Sequence, residues 1–220
     1  MLDIEIQKVE FSTSKTARVL VIGEPAKSEN IWVCLHGYSQ QISGFANALK
    51  SLNTPGNAVI IPEALHRFYI KGSSGDVGAS WMTKEEREAD IRDNIYYLDE
   101  LYKRFDLANK KVSVLGFSQG AATAVRWVCR GEIKIDKLVL WAGVIPPDLN
   151  LESDLPKLRK HKLCLVVGTK DEYLGTAELQ KISDHLHQLE LSFEIIQFEG
   201  GHTLKSTVLK QLALQDNNNL

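Results

Sequence analysis

Five apolar runs of strand length constrain the fold of this chain more than any other feature. IWVCLHG (31–37), NAVIIP (57–62), KVSVLGF (111–117), KLVLWAG (137–143) and KLCLVVG (162–168) are nearly continuous rather than alternating. A strand with one wet face alternates apolar and polar residues, whereas a continuous run belongs to a strand buried on both faces. Longer stretches separate the runs. ISGFANALKSL (42–52) reads as a helix, and from Lys84 to Phe105 the positions Ile91, Ile95, Leu98, Leu101, Tyr102 and Phe105 fall on one helical stripe. SQGAATAVRWVCR (118–130) and segments near 175–190 and 203–214 supply further helices, with SFEIIQF (192–198) as another strand. This alternation predicts an α/β fold, a mostly parallel central sheet with helices on both faces in three layers.

The remaining segments are less regular. Residues 4–11 and 17–22 suggest two strands joined as an N-terminal hairpin. The segment 63–83 is rich in glycine, serine and aromatics without a clear period, and its length marks it as a binding loop. VIPPDLNLESDLPK (144–157) reads as a proline-broken loop, and the polar tail from about 215 as frayed. No linker or internal repeat divides the chain, so 1–220 is expected to form a single domain.

Composition excludes several classes. The 220 residues are 44% hydrophobic and 25% charged, enough to bury a core. Lys plus Arg number 26 against 28 acidic residues, a net charge of -2, which argues against nucleic-acid binding. The N-terminus has no signal-peptide core, and no apolar run is long enough to cross a bilayer. The three cysteines (Cys34, Cys129, Cys164) sit in apolar surroundings and read as reduced core residues of a cytoplasmic protein. Six scattered histidines give no metal-ligand spacing, so no metal and no cofactor is expected.

The sharpest chemical signal is Gly116-Phe117-Ser118-Gln119-Gly120, between a predicted strand and a predicted helix. A nucleophile elbow needs that context, because the serine sits on a tight, strained turn with its hydroxyl exposed. A Gly-x-Ser-x-Gly match would arise by accident about 0.07 times in a chain this long. The strand–turn–helix setting lowers that further. A serine hydroxyl needs a histidine base held by a carboxylate, in the chain order serine, acid, histidine. Asp171 in GTKDEYL and His202 in EGGHT each follow a predicted strand, so both join Ser118 on the carboxyl rim of the sheet. Asp171 also suits a helix cap, and Glu172 is a second candidate acid. His66 either lines a pocket or is surface, while His161, His185 and His187 read as surface. His36-Gly37-Tyr38 ends a strand where an oxyanion hole needs a donor. The backbone N–H groups of Tyr38 and Gln119 are the expected pair.

LHGYSQ, GFSQG, GTKDEYL and EGGHT, with a loop containing Trp81 between the first two, resemble the phospholipase/carboxylesterase family of the α/β-hydrolases, from about Ile31 to Leu212. The resemblance implies an α/β-hydrolase fold, with Ser118 as nucleophile, Asp171 as acid and His202 as base. It implies hydrolysis of carboxylic esters, with thioesters and lysophospholipids as related substrates. The chain departs from the family pattern at Tyr38-Ser39-Gln40, at Met82-Thr83 and at Trp141, all in the substrate-binding surround. The expected partner is a small-molecule ester, without nucleic acid or integral membrane association, and with room for a homodimer.

Two other readings compete: a fold that binds without turnover, and a dienelactone- or peptidase-type hydrolase on the same scaffold. An acyl pocket is expected between the 63–83 and 144–157 loops, drawing on Phe68, Trp81, Met82, Trp141 and Ile145. Trp81 is expected to be the most exposed of its aromatics.

Overall fold

The computed structural model describes residues 6–217. Seven strands form the main sheet: β1 (Val19–Ile22), β2 (Asn30–Leu35), β3 (Asn57–Pro62), β6 (Lys111–Phe117), β7 (Lys137–Trp141), β8 (Leu163–Gly168) and β9 (Phe193–Phe198). Their order is β1-β3-β2-β6-β7-β8-β9. Only β1 runs antiparallel, pairing with β3 from Val19 opposite Pro62 to Ile22 opposite Val59. A separate two-stranded sheet is made by β4 (His66–Tyr69) and β5 (Val77–Ser80). Four helices of seven or more residues flank the crossovers: α1 (Ile42–Ala48), α2 (Arg87–Arg104), α3 (Gln119–Arg130) and α5 (Thr176–Gln188). With them come the short α4 (Leu155–Leu158) and the C-terminal α6 (Ser206–Asn217).

The continuous apolar runs are explained by two cores, one on each face of the sheet. Along β2, Ile31, Val33 and Leu35 face one core while Trp32 and Cys34 face the other. The alternation repeats in β3, β7 and β8. The first core takes Leu98 and Leu101 from α2, Ala124 and Trp127 from α3 and Leu186 from α5. The second takes Phe45 from α1 and Leu209 and Leu212 from α6. Each fully buried large side chain contributes roughly 1.5–3 kcal/mol, so both faces stabilise the fold. Cys34, Cys129 and Cys164 are free and buried. Among the described residues no helix is long and apolar enough to cross a membrane.

Three expectations change. The N-terminal hairpin does not form. Residues 4 and 5 of its first strand lie outside the described residues, and 6–18 contain no strand. Ile6, Val9 and Phe11 are 93%, 79% and 85% exposed, so this alternation has no sheet to bury against. Lys8 pairs with Glu86 and Glu10 with Arg92 instead, laying the arm beside the start of α2. The 63–83 segment is largely a hairpin rather than a loop. Its four-residue strands are too short to show a period, and Gly72 and Gly75 at φ +62 and +92 make the reversal between them. The 144–157 loop ends inside α4, where Pro156 fits the first helical turn.

Candidate active site

Steric constraints at two glycines build the turn after β6. A Cβ on Gly116 would come within 2.4 Å of the Ala121 backbone, and one on Gly120 within 2.3 Å of the Leu35 carbonyl. These close approaches press α3 onto the sheet and force Ser118 into φ 53, ψ -116. A side-chain-bearing residue pays strain for that conformation, which persists because the surroundings fix it. Ser118 N–H donates to the Trp141 carbonyl at 2.9 Å, and Ser118 C=O accepts from Ala121 N–H at 3.0 Å.

Asp171 and His202 are brought together by the parallel strands β8 and β9. Gly168 closes β8 against the carbonyls of Gly200 and Gly201, where a Cβ would meet oxygen at 2.3 and 2.5 Å. That contact sets the Asp171 and His202 loops side by side. His202 Nδ1 lies 2.9 Å from Asp171 Oδ2. Asp171 Oδ1 accepts the N–H groups of Tyr173 and Leu174 at 2.9 and 3.1 Å. The carboxylate is buried and fully engaged, so it sets the ring's tautomer: Nδ1 carries the proton and Nε2 is left as a base. Phe117 and Tyr173 pack on the imidazole at 5.0 and 4.8 Å between centroids. Phe117 precedes Ser118, so the ring stands beside the elbow. Among the described residues Ser118 Oγ has no hydrogen-bond partner. Glu172 is exposed and makes no hydrogen bond or ion pair to His202.

Opposite the elbow, Gly37 follows β2. A Cβ there would come within 3.2 Å of Ser118 Cβ, so this loop abuts Ser118. Among the described residues, neither Tyr38 N–H nor Gln119 N–H has a protein acceptor. Two free amides flanking a serine are what a developing oxyanion requires.

Of the expected pocket residues, Trp81 and Trp141 are fully buried, which corrects the expectation that Trp81 is exposed. Trp81 Nε1 donates to the His36 carbonyl at 2.8 Å, and Trp141 Nε1 to the Thr203 carbonyl at 2.9 Å. Both are framework under the rim. Ile145 is also buried, while Phe68 and Met82 are half-buried. The 144–157 loop is anchored by ion pairs. Asp148 binds Arg126 and Arg87, each at 2.6 Å, and Arg130 binds Asp154 at 2.8 Å. A cavity of about 390 Å³ opens instead between Tyr38, Phe68 and Ser80 and the start of α2, with His66, Arg67, Glu85 and Asp90 around it. His66 pairs with Asp90 at 3.0 Å on its wall.

Residue types alone did not single out three participants. The Gln119 side chain accepts from Trp81 N–H at 3.1 Å and donates to the Met82 carbonyl at 2.8 Å, tying the elbow to β5. Tyr173 caps the His202 ring, and its place two residues after Asp171 was the available signal. Gln40 Oε1 accepts Gly37 N–H at 2.7 Å, and nothing local in LHGYSQ announces that bond. Among the described residues no group of three or more potential ligands is placed to hold a metal ion.

Comparison with known proteins agrees with this architecture. The family described as phospholipase/carboxylesterase matches residues 17–214. The chain is similar in fold to acyl-protein thioesterase 2 of Zea mays, at 18% identity and TM-score 0.69, over 93% of this chain and 99% of that one. It is similar to esterase PE8, at 18% identity and TM-score 0.68, over 94% and 100%. It also resembles the Bacillus cereus carboxylesterase, at 15% identity and TM-score 0.65, over 93% and 95%.

Proposed function

The chain belongs to the phospholipase/carboxylesterase family of hydrolases, and from that premise we propose that it cleaves carboxylic esters through an acyl-enzyme on Ser118. The observation that carries this reading is the 2.9 Å contact of His202 Nδ1 with a buried Asp171 carboxylate, beside a serine at φ 53. The Ser118 hydroxyl attacks the ester carbonyl as His202 Nε2 takes its proton. Charge on the carbonyl oxygen is met by the N–H groups of Tyr38 and Gln119. Collapse of the tetrahedral species expels the alcohol, which receives the proton from His202. Water, deprotonated by the same nitrogen, then releases the acid and restores the serine.

Thioesters pass through the same intermediates and are admitted by the same machinery. The cavity of about 390 Å³ reaches Tyr38 but is lined by neither Ser118 nor His202, so it does not by itself set the length of the acyl group. A fluorophosphonate should label the folded protein and fail to label Ser118→Ala. Folded wild-type protein that resists labelling would refute the mechanism. A panel of p-nitrophenyl esters of rising chain length then defines the acyl preference.

A further inference from the structure

The two sides of the Ser118 elbow are built differently. In the sheet order β2-β6-β7-β8-β9, the loop carrying Tyr38 stands on one side of β6 and the loops after β7, β8 and β9 on the other. The first side holds the Tyr38 N–H. The second holds the His202 ring, and there two apolar side chains are left open, Tyr173 at 67% exposure and Val144 at 36%. Val144 stands close to the elbow, because a Cβ on the preceding Gly143 would come within 2.7 Å of the Ser118 carbonyl. Tyr173 is fixed in place by the acid itself. Its N–H donates to Asp171 Oδ1 at 2.9 Å, and its ring meets the His202 imidazole at 4.8 Å and 71°. Phe117, only 4% exposed, already packs on that imidazole at 5.0 Å between centroids. A second aromatic that only sheltered the ring would itself be covered on its far side, and Tyr173 is not. Its hydroxyl has no hydrogen-bond partner among the described residues, so no bond within the chain holds the ring from that end.

We propose that Tyr173 is a specificity-determining residue that selects the alcohol of the ester, favouring an aromatic one. The proposal rests on the serine-hydrolase reading and deepens it by naming the chemical class of the leaving group. The reaction itself places that group. The leaving oxygen takes its proton from His202 Nε2, so it comes within about 3 Å of that nitrogen as the carbon–oxygen bond breaks. The carbonyl oxygen lies at that moment on the Tyr38 side. Atoms attached to the leaving oxygen therefore extend over the rim made by the loops after β7, β8 and β9, within reach of a ring that touches the imidazole. An aromatic alcohol packs on Tyr173 there, edge-to-face or offset, at the separations of about 4.5–7 Å that such pairs favour. A methyl group offers little surface to the same ring. The acyl chain leaves the tetrahedral carbon in another direction, so its length is not read by Tyr173.

The test crosses two ester series on wild type, Tyr173→Ala and Tyr173→Phe, following the acid released. One series holds the acid as acetate and compares methyl with benzyl alcohol. The other holds the alcohol as p-nitrophenol and lengthens the acid from acetate to hexanoate. Each kcat/KM is divided by the wild-type value on the same ester, so the intrinsic reactivity of the substrate cancels. Tyr173→Ala should lose about 3- to 15-fold more on benzyl acetate than on methyl acetate, while the acyl series falls by one common factor. Tyr173→Phe keeps the ring and should keep the benzyl preference to within about twofold. Benzyl and methyl acetate falling by the same factor in Tyr173→Ala marks a residue that only steadies His202, and overturns the proposal. So does a change confined to the acyl series, or a Tyr173→Phe that behaves as Tyr173→Ala. Fluorophosphonate labelling separates the two levels. Folded wild type that is not labelled fails the serine-hydrolase reading and takes this proposal with it, whereas labelled enzyme with an unchanged benzyl-to-methyl ratio fails this proposal alone.

Discussion

Trp81 packs against the start of the loop that carries Tyr38, its Nε1 donating to the His36 carbonyl at 2.8 Å and its ring 5.2 Å from the imidazole of His36 at a tilt of 36°. The Asn94 side chain donates to the Trp81 carbonyl from below, and Gln119 accepts its N–H from the side. The loop after β2, the β4–β5 hairpin, α2 and the elbow thus meet at one residue, whose backbone binds Asn94 and Gln119 and whose indole binds the His36 carbonyl.

Trp81→Ala should therefore destabilise the protein by about 3–5 kcal/mol, the usual cost of removing a buried large aromatic. Activity on every ester should fall by a similar factor. Trp81→Phe fills most of the volume but leaves the His36 carbonyl unpaired, at a cost of about 1–3 kcal/mol. Denaturant melts beside an ester panel decide the matter. A selective change in chain-length preference at full stability would return Trp81 to the pocket wall.

Asp171→Asn should reduce kcat by a factor on the order of 10⁴, the scale at which an amide presents the wrong partner to the ring nitrogen of a serine-hydrolase triad. Its two backbone donors at Oδ1 fix the carboxylate, so no neighbour can rotate into its place. Glu172→Gln should leave kcat within about twofold, because that carboxylate is exposed and makes no bond to His202. Steady-state kinetics of the two variants order the acids directly.

Ser118 trades stability for reactivity. With φ 53 and ψ -116 it occupies a region that costs side-chain-bearing residues about 1–3 kcal/mol. Ser118→Gly should abolish turnover and raise the melting temperature, whereas Ser118→Ala should abolish turnover with a smaller gain or none, because it retains Cβ. Calorimetry of the two dead variants separates backbone strain from loss of the hydroxyl. Equal melting temperatures would show that the elbow stores no strain.

Asp148 gives the 144–157 loop a pH-dependent anchor. Burial alone would raise its pKa, but the hydrogen bonds and charges of Arg126 and Arg87 prevail and hold it far below the usual carboxylate range. A depressed folded-state pKa stabilises above the unfolded value near 3.8 and is lost as pH falls below that value toward the folded one. Asp148→Asn should accordingly cost up to about 3 kcal/mol at pH 7, because it strands buried Arg126. The gap between wild type and variant should begin to narrow near pH 4 and go on narrowing as pH falls further. Urea titrations across that range measure it, and a gap that widens on acidification would contradict the assignment.

The sequence by itself determined the sheet and the chemical residues. Continuous apolar runs left no alternative to strands buried on both faces, and 57–62 and 111–117 match β3 and β6 end to end. Gly116 and Gly120 encode a turn too tight for any other residue, so the elbow was readable as a local constraint. What only the tertiary structure decided depends on contacts between segments far apart in the chain. The alternation of 4–11 was genuine, yet an alternating segment becomes a strand only where a neighbour offers a ladder, and β1 took β3 instead. Trp81 looked solvent-facing among glycines and serines because its neighbours in space, His36, Asn94 and Gln119, lie 13 to 45 residues away. The same holds for Gln40. A glutamine in a loop carries no sign of the bond it makes until the fold closes Gly37 against Ser118, and there its side-chain oxygen accepts the Gly37 N–H.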